Sequence, residues 1–204
     1  MQNTTSMHHL ILPGWQNSGP EHWQSIWHHE LGASRVEQHD WMRPLRGDWI
    51  TRLEDEVLSI NERSPQDSHR LPAENALKNG EKDILLIAHS LGCHLVSAWA
   101  ALSKQTHRIK GALLVAPPDA IRENFPQVLK SWRPPVLQKL PFPSICVVSA
   151  NDPFCDLEPG KDMAASWGSQ LVELGDKGHI NADSGLGAWP QGRALLAQLS
   201  PMSR

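Results

Sequence analysis

"DILLIAHSLGCHLVSAWAA" (Asp83–Ala101) begins as a continuous apolar run and changes to a helical pattern at Ser90. Uninterrupted apolar strands of this kind belong in parallel sheets covered on both faces. A serine between such a strand and a helix has two readings. It can cap the helix that begins at Leu91, or it can sit on the sharp turn that exposes a nucleophile. The nucleophile turn requires small residues two before and two after the serine, so that strand and helix can pass closely. Here those positions hold Ala88 and Gly92, with alanine a mild departure from the G-x-S-x-G pattern.

The rest of the chain repeats the alternation. Apolar runs recur at His9–Pro13, Ser34–His39, Ile109–Ala116, Pro143–Ala150 and Ser169–Gly175. Helical stretches lie between them. "GPEHWQSIWHHEL" places Trp23, Ile26, Trp27 and Leu31 on one face, with Pro20 suited to the start. "DWITRLEDEVLSI" repeats the spacing with Ile50, Leu53, Val57 and Ile60, and "WPQGRALLAQL" closes the series. The pattern predicts an α/β fold: a three-layer α-β-α sandwich around a mainly parallel sheet of about six strands, without a large cap domain. Residues 1–204 are expected to form one domain. Asn61–Gly80 reads as a polar surface loop, and Ala116–Phe142, with six prolines, as a small flap above the sheet.

Composition narrows the function classes. A net charge of −3 supplies no basic footprint for nucleic acid or an anionic membrane. No apolar run reaches the ~18 residues of a membrane span. The start "MQNTTSMHHL" lacks the pattern of a secretory signal, and three cysteines are too few and too odd for a disulfide framework. A cytoplasmic location is therefore expected. The histidine pairs His8-His9 and His28-His29 lack neighbouring ligands at metal-site spacing, so no metal is expected. Five of nine tryptophans lie between Trp15 and Trp49, which suggests an aromatic surface or pocket near the start.

In such sheets, ligands bind beyond the carboxyl ends of the strands, and three strand ends carry reactive groups. Ser90 follows the third run, Asp152 the fifth ("SANDPFCD"), and His179 the sixth ("LGDKGHINAD"). Serine, acid, histidine is the chain order of the α/β-hydrolase triad. His179 would be the general base, and Asp152 would hold its tautomer. Taken separately, Asp152 before Pro153 could be only a turn residue, and His179 only one loop histidine among eleven. Asp119 is the best rival acid; His89 would point away from Ser90 or line the pocket, and His94 would pack. Acyl transfer also needs oxyanion donors. The Leu91 N–H would be one, and the Trp15 N–H in "LPGWQNSG" the other, with the Trp15 indole lining the acyl pocket. The alternative there is a structural turn with a packing tryptophan.

The segments "PGWQNSGPEHWQSIW", "VEQHDWMRPLRGDWITRLEDEV", "IAHSLGCHLVSAWA", "VVSANDPFCD" and "GHINADSGLGAWPQG" resemble the small bacterial serine hydrolases related to the YdeN hydrolase. Human retinoblastoma-binding protein nine is similar to that family as well. The resemblance spans almost the whole chain. It implies an α/β-hydrolase core without a large cap, and a Ser-Asp-His triad on Ser90, Asp152 and His179. The expected activity is hydrolysis of small acyl esters, with thioesters, amides or short peptides as further substrates and no cofactor. Two other functions fit the same residues: a protein-binding module with a vestigial triad, and a carrier of aromatic small molecules.

Overall fold

The computed structural model describes residues 7–60 and 83–200. The Asn61–Gly80 loop lies outside the described residues. Six strands are ordered β2-β1-β3-β4-β5-β6: β1 (His8–Leu12), β2 (Ser34–Arg35), β3 (Ile84–His89), β4 (Ile109–Val115), β5 (Ser144–Val148) and β6 (Gln170–Glu173). Every neighbouring pair is parallel. The helices are α1 (Trp23–Leu31), α2 (Arg46–Ser59), α3 (Leu91–Ala100), α4 (Leu157–Trp167) and α5 (Pro190–Gln198).

Alternate residues of the inner strands β1, β3, β4 and β5 feed opposite cores, as the two-residue period of a strand dictates. Leu86, Ala88, Leu114 and Cys146 pack under α2, α3 and α4, against Leu53, Trp99 and Trp167. Leu85, Ile87, Leu113 and Val147 pack under α1 and α5, against Trp23, Trp27 and Leu196. Fully burying one such aliphatic side chain stabilises the fold by about 1.5–3 kcal/mol. Apolar residues at both alternating positions are therefore what make the strands read as continuous runs.

Several local expectations are corrected. Helix α1 starts at Trp23 rather than near Pro20, because the His22 Nδ1 caps it by accepting the Gln24 N–H at 3.1 Å. On its buried face stand Trp23, Gln24, Ser25 and Trp27; Ile26 and Leu31 are only half-buried. Strand β2 is shorter than the Ser34–His39 run, although the Val36 N–H still reaches the Ile11 carbonyl. The sequence reading missed α4, whose Pro159 and Gly160 obscure the helical pattern. The early tryptophans are mostly core: Trp23, Trp27 and Trp49 are buried, while Trp15 and Trp41 are half-buried. Ala116–Phe142 is a packed wall rather than a raised flap, since Phe125, Leu129, Trp132, Leu140 and Phe142 all enter the core. Its 3₁₀ turn, Gln127–Trp132, is tied down by the Trp132 indole N–H donating to the Pro44 carbonyl at 2.9 Å.

The chain leaves β1 toward β2 on one side and returns to β3 on the other. The order of the sheet thus reverses between β1 and β3, and a crevice opens at their carboxyl ends. A buried amide fixes the two strand ends together. Gln24 Nε2 donates to the Leu12 carbonyl at 3.2 Å and to the Ile87 carbonyl at 3.0 Å, while its Oε1 accepts from Ser18 Oγ at 2.7 Å.

Candidate active site

Ser90 follows the last residue of β3 with φ 54° and ψ −124°, a left-handed backbone that side-chain-bearing residues rarely adopt. Its N–H donates to the Val115 carbonyl at 2.8 Å, which anchors the turn to β4. The side chain makes no capping bond to α3, so the helix-cap reading does not describe it. Close packing explains the small residues around it. A Cβ at Gly92 would stand 2.3 Å from the Leu12 carbonyl oxygen, and one at Gly14 would stand 2.7 Å from Ser90 Cβ. Ala88 lies fully buried in the strand, where a methyl fits.

The structure brings Ser90, His179 and Asp152 together. Ser90 Oγ lies 2.8 Å from His179 Nε2. His179 Nδ1 lies 3.0 and 2.9 Å from the two Asp152 carboxylate oxygens. A carboxylate only accepts, so Nδ1 carries the ring proton and Nε2 is left to accept from the serine hydroxyl. Asp152 is also a turn residue, because Oδ1 accepts the Phe154 N–H at 2.9 Å. Asp119 is elsewhere, with its carboxylate turned back to the Ile121 N–H at 2.9 Å. The loops bearing Asp152 and His179 are laced together by Asn151, whose Oδ1 accepts the Gly178 N–H at 2.7 Å. The Phe154 ring meets the His179 imidazole edge-on at 4.5 Å.

A second histidine supports the first. The His89 Nε2–H donates to the His179 carbonyl at 2.9 Å, and the two rings are 4.9 Å apart. His22 stacks edge-on against His89 at 4.6 Å. Burial, together with the neighbouring imidazoles, holds His89 well below the usual histidine range and brings His22 down to about 4. Both are therefore neutral wherever His179 acts as a base. His94 packs in the core and bonds to the Pro118 carbonyl at 2.7 Å.

Ser90 opens into a cavity of about 430 Å³. Its apolar lining includes Leu91, Pro118, Phe125, Pro126, Leu129 and Phe154, and its polar lining Gln16, Asn17, His22, Arg122, Asn124 and Asn181. Trp15 lines the cavity too, with its indole N–H held by the Met42 carbonyl at 3.1 Å. None of the other early tryptophans lines it. Leu91 is almost wholly buried, and only its backbone N–H is suited to a role beside Ser90. His22 and Gln24 were not singled out by the sequence. Their only signal was a polar pair, His22 and Gln24, on a helix face otherwise tryptophan-rich.

Comparison with known proteins places this geometry. Among curated proteins, none matches the sequence. The fold is similar to that of a candidate YdeN-like hydrolase from Pectobacterium atrosepticum, at 25% identity and a TM-score of 0.74, over 96% of this chain and 91% of that one. It is also similar to the ydeN gene product of B. subtilis, at 18% identity and a TM-score of 0.69, over 95% and 98%. A Bacillus cereus carboxylesterase shares the fold at 16% identity and a TM-score of 0.55, over 97% and 89%. A family model described as serine hydrolase matches residues 9–65 and 69–198. With that match covering most of its length, the chain belongs to the serine hydrolase family, on an α/β-hydrolase fold of the YdeN-like kind.

Proposed function

We propose that the protein is a carboxylesterase-like hydrolase of small acyl esters, acting through an acyl-enzyme on Ser90. The observation that carries this reading is the unbroken hydrogen-bonded chain Ser90 Oγ–His179–Asp152 at a positive-φ turn. Ser90 Oγ attacks the acyl carbon while His179 Nε2 takes its proton. The developing oxyanion is held by the Leu91 N–H and the Trp15 N–H. His179 then returns the proton to the departing alkoxide as its C–O bond breaks. Water, deprotonated by the same nitrogen, releases the acid and restores the serine. Asp152 stabilises the transient imidazolium and fixes its tautomer. No step needs a metal or organic cofactor. Three unpaired, buried thiols, Cys93, Cys146 and Cys155, accord with a reducing cytoplasm.

A fluorophosphonate probe tests the reading, because only an activated serine reacts quickly. The expected result is a single adduct on the peptide containing Ser90, lost in Ser90→Ala, together with turnover of p-nitrophenyl acetate. A protein that takes no label, or a Ser90→Ala variant that hydrolyses the ester at the wild-type rate, refutes it. Absent labelling with retained binding of a protein partner would favour the interaction-module alternative.

A further inference from the structure

The cavity wall beside Ser90 has a one-sided hydrogen-bonding character. Asn17, Asn124 and Asn181 all line it, and the oxygen of each amide is already committed to the chain. Asn17 Oδ1 accepts the Ser18 N–H at 2.7 Å and Arg35 Nη1 at 3.2 Å. Asn124 Oδ1 accepts Arg122 Nε. Asn181 Oδ1 accepts the Asp183 N–H at 3.1 Å. Each amide thus has its oxygen at least half used, while no hydrogen bond within the chain engages its NH₂ among the described residues.

One further residue adds donors. Arg122 also lines the cavity and donates Nη1 to the Pro153 carbonyl at 2.7 Å. With Nε also donating to Asn124 Oδ1, two hydrogen bonds hold the guanidinium and leave Nη2 without a partner among the described residues. Among the described residues Arg122 forms no ion pair. Asp119 bonds to the Ile121 N–H and Asp152 to His179. His22 lines the cavity as well, but its Nε2 is fully buried and is not presented to a ligand. Because Nδ1 accepts the Gln24 N–H, Nε2 is the nitrogen that bears the proton. Of the described residues lining the cavity, none is Asp or Glu, and only Gln16, at the rim, has a free side-chain amide oxygen.

A lining richer in free donors than in free acceptors, and without a carboxylate, suits a sugar or a polyol poorly, since each hydroxyl must also donate. It suits a group that only accepts and carries negative charge. We propose that the substrates are esters bearing a carboxylate, with Arg122, Asn17, Asn124 and Asn181 as its recognition groups. The proposal rests on the hydrolase reading of the same site. The carboxylate could belong to the acyl half, making the substrate a monoester of a dicarboxylic acid, or to the leaving alcohol or phenol.

Matched ester pairs, followed by proton release, separate these sources. Monomethyl glutarate against methyl 5-methylhexanoate tests the acyl half. 4-Acetoxybenzoate against 4-isopropylphenyl acetate tests the leaving group. At least one carboxylate ester should exceed its neutral partner in kcat/KM by about 10-fold or more, the weight of a hydrogen bond to a charged group. Arg122→Gln should cut that ratio by about 10-fold, and Asn17→Asp, which sets a like charge in the wall, should cut it too; thermal melting confirms that each variant is folded. Preference for the neutral ester in both pairs, or a ratio unmoved by both variants, overturns the proposal. Labelled Ser90 without turnover of either carboxylate ester overturns it alone. No labelling and no turnover of any of the four overturns the hydrolase reading itself.

Discussion

Gly92→Ala adds one methyl to the tightest point of the site. Its Cβ would stand 2.3 Å from the Leu12 carbonyl oxygen and 3.1 Å from the Pro13 oxygen, and both are backbone atoms at the end of β1. Opening the shorter contact to the 3.0 Å that real Cβ atoms respect takes about 0.7 Å, from either the start of α3 or the end of β1. Neither moves freely. Gln24 ties the Leu12 and Ile87 carbonyls together, and the Ser90 N–H is held to Val115. Overpacking of this kind costs about 1–3 kcal/mol or more. At about 3 kcal/mol, the melting temperature of a chain this size falls by roughly 6–12 °C. The shift also separates Leu91 from Trp15, the two proposed oxyanion donors. A misplacement near 1 Å can cost on the order of 10²-fold in rate, so fluorophosphonate labelling should slow by about 10- to 100-fold. Ala88→Gly, which restores the strict pattern, behaves differently. It loses a buried methyl and stiffens nothing, costing about 1.5–2 kcal/mol of stability while leaving Ser90 in place. A Gly92→Ala protein that melts within about 2 °C of wild type and labels at its rate would refute the close-approach argument.

Asp152→Asn keeps an oxygen for the Phe154 N–H but gives His179 the wrong partner; kcat/KM should fall on the order of 10⁴-fold with melting little changed, measured on p-nitrophenyl butyrate. Among unsubstituted straight-chain esters, kcat/KM should rise from acetyl to butyryl by up to about 4-fold per CH₂, then flatten or fall by octanoyl; a steady rise through dodecanoyl would mean an open groove. His22, at about 4 when folded, binds its proton less readily than in the unfolded chain. The unfolded state therefore takes up more protons as pH falls from about 6.5 to about 4, and stability drops across that window. His22→Asn keeps the cap acceptor and removes this titration. Urea unfolding at pH 7 and pH 4.5 should show the acid loss reduced by about 2 kcal/mol relative to wild type.

The layered fold was legible because its signal is local. The central strands β3, β4 and β5 are buried on both faces, and Trp23, Trp27, Leu53 and Val57 repeat at helical spacing. Ser90, Asp152 and His179 could be read because each follows a strand, and strand ends in a parallel sheet converge on one edge. Helix α4 was obscured by Pro159 and Gly160, tolerated because the proline falls in the first turn, where no intrahelical donor is needed. The polar wall was invisible for a different reason. Asn17 and Arg35 are eighteen residues apart, and Gln24 meets Leu12 and Ile87 from opposite ends of the first crossover. Such bonds depend on the tertiary path, and no residue period announces them.

That path divides the labour of the site between two segments. The loop from Pro13 to Gln24 provides the Trp15 amide, the Asn17 donor and the His22 cap, and Gln24 locks it to both strands of the crevice. The stretch from Pro118 to Leu129 provides the apolar wall and, at its rim, Arg122 and Asn124. An orphan donor costs about 1–3 kcal/mol when buried, so most sequences would lose it. Asn17 and Asn181 are half-buried and Asn124 is exposed, so their NH₂ groups cost little. Of the polar side chains at the cavity just named, His22 is the one whose donor, Nε2, is buried without a partner among the described residues. Local rules are broken mainly where function requires it, and the penalty falls on a ring whose other nitrogen must accept to start α1. The histidine is thus best explained by the cap it gives α1 and by its contact with the His89 ring that braces the base.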